Sequence, residues 1–434
     1  MSCQLTGINS VDSGVYRRVR IAVVGGGVSG LSAAYVLSQA HDVTLFEKDH
    51  RLGGHAHTHD ITLAGQSWPV DTGFMVFNPR TYPNFIRLLD RLGISSRDSD
   101  MSFSVRCRRC RVEFSSVGLR GWFAQPTSLA RLSHWRTLAD VLRFFRQGRR
   151  ALDSGSADGM TLGQFLADGG FGAALIRHFV LPMGGAIWSA SGADIRAFPA
   201  VSFLRFLDNH GLLHASGQPT WRTIAGGSVR YVTALAARLG AGVRVSTPVR
   251  AIVRDDTGVT VASAAGTAYR FDRVVIATHA NEALALLGDA SRDEVEALSR
   301  FRYSVNDTWL HSDERVLPDA RAARASWNCE LADCTEDASP VAVTYDLNRL
   351  QGHTPGRPLL CSLNPLAPIR GDVMARMVYS HPVLDTAAFS GQAAIARLNG
   401  TRHTFYCGAH LRNGFHEDGV MSALAVTRTF GLGL

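Results

Sequence analysis

Apolar residues along the chain follow two periods, and their alternation places the first elements. Arg20-Ile-Ala-Val-Val24 is a short continuous apolar run of strand type. Leu31–Leu37 has helical spacing, and Asp42-Val-Thr-Leu-Phe46 is a second strand. Helical spacing returns over Tyr82–Leu92, Ala130–Arg150, Leu162–Leu166 and Ala173–Phe179, with glycine-rich joints at Ser154–Gly159 and Gly169–Gly172. A helix over Tyr231–Leu239 precedes a strand pair around Val243–Val253 and Val259–Ala262, then the strand Val274–Thr278. Residues 295–384 read as strands, for example Val341–Tyr345 and Pro358–Leu363, and a last helix starts at Gly419. No internal repeat is present.

One helical pattern stands apart. Leu129, Leu132, Trp135, Leu138, Leu142 and Phe145 recur every three or four residues, flanked by Arg131, Arg136, Arg143, Arg146, Arg149 and Arg150. Two readings follow: a helix burying this stripe in a core, or a basic amphipathic helix lying on a lipid surface.

With 434 residues, 46% of them hydrophobic, the chain exceeds one ordinary core and suits two intertwined domains. Charged residues make up 19%, which argues against disorder or a fibrous class. The net charge is +8, and Lys48 is the only lysine. That balance reads either as arginine written for lysine or as attraction to an anionic surface such as membrane phosphate. No basic run interleaves with aromatics, so no nucleic-acid partner is expected. Seven scattered cysteines read as reduced thiols. Cys107-Arg-Arg-Cys110 has no second pair, so no metal is assigned to it. No charged leader with an apolar core and no stretch of about 20 apolar residues is visible, so a cytoplasmic protein is expected, with peripheral contact with the inner membrane a further reading.

The chemistry lies first in Gly25-Gly-Gly27-Val-Ser29-Gly30, set between a strand and a helix and followed by a second strand that ends at Glu47. In this context each residue has a task. Gly25 permits the tight turn, Gly27 lets a pyrophosphate approach the backbone, and Gly30 lets helix and strand pack closely. The helix N-terminus, with Ser29, offers N–H groups to the phosphates. Glu47 stands where an acid binds a ribose diol and repels a 2′-phosphate, which disfavours NADP.

Glu47-Lys48-Asp-His-Arg51-Leu-Gly53-Gly54-His55 resembles the second flavin fingerprint of the FAD-dependent amine oxidase and phytoene desaturase superfamily. The resemblance favours FAD over NAD. Further segments resemble a bacterial branch of NAD/FAD-binding oxidoreductases associated with cyclopropane fatty-acid synthase homologues. They are Val70–Asn78, Ala197–Phe203, Asn209–Leu213, Trp221–Ser228, Tyr345–Gln351 and Gly414–Leu424, in order along nearly the whole chain. The fold class this implies is α/β, a Rossmann-like FAD-binding domain built from discontinuous segments plus an α+β substrate domain. The FAD-binding domain would comprise 18–80, 215–290 and 385–434, and the substrate domain 81–214 and 295–384. The implied chemistry is on unsaturated or methyl-branched fatty acyl chains, with a functional link to a lipid methyltransferase.

The resemblance also implies cofactor contacts at Gly73, Val249 and Ala277, and at Gly408, Glu417, Asp418, Gly419 and Val420, where the C-terminal helix would face the flavin. The superfamily's acid after the first of these glycines is Ala409 here. Its flavin-side lysine has no counterpart, because Lys48 sits near the ribose end. Its Gly-Tyr pair is Gly414-Phe415. These departures weigh against an amine and toward an apolar substrate. His55-Ala-His57-Thr-His59 places three imidazoles on one strand face, readable as flavin-adjacent, as plain surface or as a metal site. His416 and His210 are candidate catalytic acid/base groups, because an imidazole titrates near neutrality; each reads equally as a packing histidine. Cys407 admits covalent flavin attachment.

Three functions remain open at this point. The first is an FAD-dependent oxidoreductase that takes hydride from a substrate C–H, dehydrogenating or isomerising a lipid acyl chain. The others are an amine or amino-acid oxidase acting on a small molecule, and a flavin-binding accessory subunit of a lipid methyltransferase.

Overall fold

Ile21, Ala22 and Val23 are fully buried, as a parallel strand covered on both faces requires. The computed structural model describes residues 18–214, 217–335 and 341–434. Cys3 and the boundary placed at residue 215 lie outside the described residues. Arg20–Val24 is the centre of a five-stranded parallel sheet, in the order Thr404–Tyr406, Arg273–Ile276, Arg20–Val24, Asp42–Phe46, Val243–Arg244. The sheet draws its strands from three separated stretches of the chain. Val24 pairs with both Phe46 and Ile276, so the three strands end level. Gly25, Glu47 and Ala277 therefore leave the sheet along one edge, where open α/β sheets bind ligands. The helix Val28–Leu37 packs back on the sheet with nine of its ten residues buried.

A second, seven-stranded sheet runs in the order Val373–Val383, Arg302–His311, Leu360–Leu363, Ala342–Asp346, Trp327–Leu331, Phe103–Cys107, Glu113–Ser115. Neighbours are antiparallel except Trp327–Leu331 with Phe103–Cys107. The last two strands come from the stretch 81–214, which is therefore not wholly helical. The strands expected over Val243–Val253 separate near Pro248. Val243–Arg244 joins the parallel sheet, while Val249–Asp255 starts an antiparallel meander with Gly258–Ser263 and Ala268–Phe271.

The arginine-flanked helix runs over Leu132–Ser154, and the apolar stripe divides: Leu138 and Phe145 are partly buried against the core, while the rest of the stripe faces solvent. His134, Thr137, Val141, Phe144, Gly148 and Ala151 face inward. Leu129, Leu132, Trp135 and Leu142 are 59%, 64%, 45% and 51% exposed. The cause lies in the partners. A Cβ at Gly148 would lie 3.0 Å from a Leu204 methyl, so this face accepts the helix Ala200–Asn209 closely. Arg143 donates to the carbonyls of Gly169 and Gly170, and Arg149 to that of Leu213. No helix among the described residues is long and apolar enough to cross a membrane.

Candidate functional site

The glycine-rich loop leaves the sheet with Gly25 at φ +107°, and its N–H donates to Phe46 O at 2.8 Å. A Cβ on Gly30 would stand 1.9 Å from Gly25 O, so that glycine is required by packing alone. Gly27 differs: nothing lies within 4 Å of where its Cβ would be. Packing does not demand a glycine there, and the open space lies in a cavity of about 750 Å³. Glu47 accepts from the Gly26 and Asp49 amides at 2.7 and 2.9 Å, which fixes its carboxylate beside the loop. Lys48 pairs with Glu282 at 2.7 Å at the same end. Arg51 donates to Gly54 O at 2.9 Å, and Gly53 N–H donates to Gly26 O at 2.8 Å. The two glycine-rich turns are thereby clasped together.

The cavity wall contains Gly25, Gly27, Ser29, Glu47, Lys48, Arg51, Gly53, Gly54, His55, Gly73, Val249, Ala277 and Gly408. Gly73 brings its turn against His55, whose carbonyl oxygen would be 2.1 Å from an added Cβ. The wall does not contain Gly30, Glu417, Asp418, Gly419 or Val420. Glu417 instead accepts from Asn84 N and Nδ2 and from Phe85 N, at 3.1, 2.7 and 2.8 Å, capping the helix Pro83–Leu92. Asp418 caps its own helix, His416–Arg428, through Phe415 N–H, and burial raises its carboxyl to about 6. Gly419 has Val28 and Ser29 where its Cβ would go, so it seats this helix against the nucleotide helix. These three positions, with the fully buried Val420, shape the site from behind. Cys407 is buried outside the wall, with its thiol raised to about 12 by burial.

Both acid/base candidates line the cavity. His210 has its two ring nitrogens engaged, by Phe206 O at 2.8 Å and Thr81 Oγ1 at 3.2 Å, and burial lowers it to about 4. His416 stacks on Phe74 at 3.6 Å with Nε2 against Tyr231 OH at 3.1 Å, and burial lowers it to about 3. Burial thus favours the neutral imidazole at both positions.

The sequence did not single out the residues that surround His55. Its ring lies 5.2 Å from those of His381 and Tyr379 and 6.1 Å from that of His279, which stacks on Tyr303 at 4.5 Å. His410 is buried next to Gly408, which leaves room for its ring. Burial lowers His55, His279, His381 and His410, so the cluster is neutral. These residues come from four distant segments, and no local pattern announced them. His57 and His59 pack against each other at 4.1 Å while His55 turns into the cavity, so the expected shared face does not form.

The far half of the cavity is walled by Trp188, Phe206, Leu212, Trp221, Trp327 and Leu363. The carboxylates in the wall are Glu47, Asp49 and Glu282, and the fixed cations are Lys48 and Arg51, all at the nucleotide end. The arrangement is a nucleotide cradle that opens into an uncharged aromatic chamber. A dinucleotide cofactor fits it on two observations: the open space at Gly27, and His55 Nε2, which is buried without a protein partner.

Comparison with known proteins supplies the family. The model described as flavin containing amine oxidoreductase matches residues 28–336. The coproporphyrinogen III oxidase of Mycobacterium leprae is 29% identical over 294 residues, 64% of this chain and 63% of that relative. The chain thus spans less than two thirds of that relative's length. Among solved structures, the CLA-producing fatty acid isomerase from P. acnes has a TM-score of 0.67 at 17% identity, covering 95% of this chain and 99% of that one. A putrescine oxidase bound to putrescine also has a TM-score of 0.67, at 15% identity and with 95% and 99% coverage. These likenesses establish the amine oxidase-like two-domain α/β fold. The chain belongs to the flavin-containing amine oxidoreductase family, with FAD as its cofactor.

Proposed function

We propose that this protein is an FAD-dependent oxidoreductase that dehydrogenates or isomerises an unsaturated or methyl-branched fatty acyl chain. FAD, when bound, supplies acceptance of a hydride from a substrate C–H. Gly27 and the N-terminus of Val28–Leu37 would hold its pyrophosphate, and Glu47 a ribose diol. The single observation that carries the reading is the uncharged chamber. An ammonium substrate entering it would lose hydration and find no carboxylate, and a multiply carboxylated one would find no arginine or lysine, a cost of several kcal/mol per unpaired ion. An acyl chain loses nothing and buries its methylenes at about 0.8 kcal/mol each. The chamber's own residues would bind and orient such a chain and exclude water from it.

The exposed stripe Leu129, Leu132, Trp135 and Leu142, with the exposed Arg131, Arg136 and Arg146 beside it, supports a second part of the reading. It is peripheral docking on an anionic phospholipid surface, which would bring the enzyme to esterified chains. A methyl-branched substrate implies that a lipid methyltransferase acts first.

The test is anaerobic addition of phospholipid with methyl-branched unsaturated chains, a panel of amines, and coproporphyrinogen to the FAD-loaded protein. Loss of visible flavin absorbance with lipid alone is the expected result for dehydrogenation; for isomerisation it is a shifted double bond in the recovered lipid. Bleaching by amines or by the porphyrinogen alone overturns the reading.

A further inference from the structure

A cluster outside the cavity remains unexplained by any flavin chemistry. Cys107, Cys110, Cys334 and His178 place three sulfurs and one ring nitrogen all within 4.8 Å of one another. They come from three segments: the hairpin between Phe103–Cys107 and Glu113–Ser115, the π-helical turn Ile176–Val180, and the loop after Trp327–Leu331. We propose that these four side chains form a structural metal site, a closed tetrahedral Cys₃His centre for zinc.

The local geometry is that of a metal knuckle. Arg111 N–H donates to Cys107 O at 2.9 Å, closing the turn with Arg111 at φ +55°, a strained value for a residue with a side chain. Cys107 N–H donates to Val112 O at 3.0 Å, which ties the two ends of the turn together. Cys110 Sγ is 3.3 Å from His178 Nε2. With Zn–S near 2.3 Å and Zn–N near 2.1 Å, a tetrahedron has edges of roughly 3.5–3.8 Å, so small movements bring all four atoms onto one ion.

Two further features point the same way. The π-helical turn is a rare interruption that re-aims a side chain, and His178 is the residue at its centre. Arg109 donates to Asp333 and Thr335, which pins the Cys334 loop onto the knuckle. Arg108 forms a two-pronged pair with Glu330 at 2.8 and 2.9 Å. Binding would release the three thiol protons. A disulfide between two of the cysteines would leave the third and the imidazole without a task.

The site is closed, with four protein ligands, and none of the four lines the cavity. That makes it structural. It ties the helical insert to the edge of the seven-stranded sheet. The helix Leu181–Trp188, which continues from the π-helical turn, carries Trp188 into the chamber wall, and Trp327 opens the strand that leads to Cys334.

The test uses the full-length, FAD-loaded protein purified under reducing conditions. The expected results are one zinc per chain by elemental analysis and, after exchange for cobalt(II), thiolate charge-transfer and tetrahedral ligand-field bands. Cys110→Ser and His178→Ala should each lose most of the metal while keeping FAD, and chelation should lower the melting temperature of the wild type but not of these variants. Should either variant fail to fold, the wild-type cobalt spectrum decides alone. Absence of metal together with absence of the cobalt bands overturns the proposal, as does a Cys107–Cys110 disulfide found by mass spectrometry. Undiminished metal in both folded variants overturns this ligand set.

Discussion

Gly27 and Gly30 lie three residues apart, at the N-cap and in the first turn of the helix Val28–Leu37, yet they are glycines for different reasons. Gly30 is held by the fold, since its Cβ would overlap Gly25 O at 1.9 Å. Gly27 is free of protein neighbours and is a glycine for the cofactor. Gly27→Ala should leave the melting temperature of the cofactor-free protein unchanged and weaken FAD at least roughly tenfold, about 1.4 kcal/mol. Gly30→Ala should cost about 1–3 kcal/mol of stability or prevent folding. Differential scanning fluorimetry and FAD titration separate the two. Equal destabilisation by both would refute the distinction.

At the scale of elements, the helix Leu132–Ser154 presents an apolar, arginine-flanked strip to solvent. Its arginines are not equivalent. Arg143 is committed to Gly169 O, Gly170 O and the Phe171 ring, whereas Arg136 and Arg146 are exposed. Each free arginine contributes about 1 kcal/mol at an anionic membrane. Arg136→Glu with Arg146→Glu should therefore reduce co-sedimentation with phosphatidylglycerol vesicles by roughly tenfold or more. The fold should be untouched, because neither residue holds a neighbouring element. Unaltered sedimentation would sink the docking reading.

For the whole molecule, the neutral cavity sets the acid limit. Six histidines line it, His55, His210, His279, His381, His410 and His416, and burial lowers every one of them. In each, burial disfavours the protonated form in the folded state, so its contribution is present above about pH 6.5 and lost as pH falls below it. Asp71 and Asp418, both raised to about 6 by burial, act with the opposite sign: their contribution is present below about pH 4 and lost as pH rises through 6. Six imidazoles outweigh two carboxyls. Between about pH 6.5 and 4, stability should fall with pH by about 1.4 kcal/mol per pH unit for each net proton taken up on unfolding. A melting temperature of the cofactor-free protein that stays level from pH 7 to 5 would refute this.

What the sequence determined by itself was local. The strand, the glycine turn, the helix and Glu47 fall within 28 consecutive residues, Arg20–Glu47, and their periods and backbone demands are written in neighbouring positions. The family likeness and FAD followed from the residues that continue them, Glu47–His55. The outward phase of the basic helix was decided elsewhere, by Gly148 accepting Leu204 and by carbonyls from two other segments holding Arg143 and Arg149. Glu417 and Asp418 read as cofactor contacts because the family resemblance placed them on the C-terminal flavin segment. Only the packed structure shows their carboxylates turned to helix ends. The imidazole chamber and the Cys₃His cluster are wholly tertiary. Cys107 and Cys110 carried half a signal, but Cys334 and His178 reach them through sheet pairing and a π-helical turn. Contacts between residues far apart in the chain leave no period in it, because their spacing is set by topology and not by the geometry of any one element.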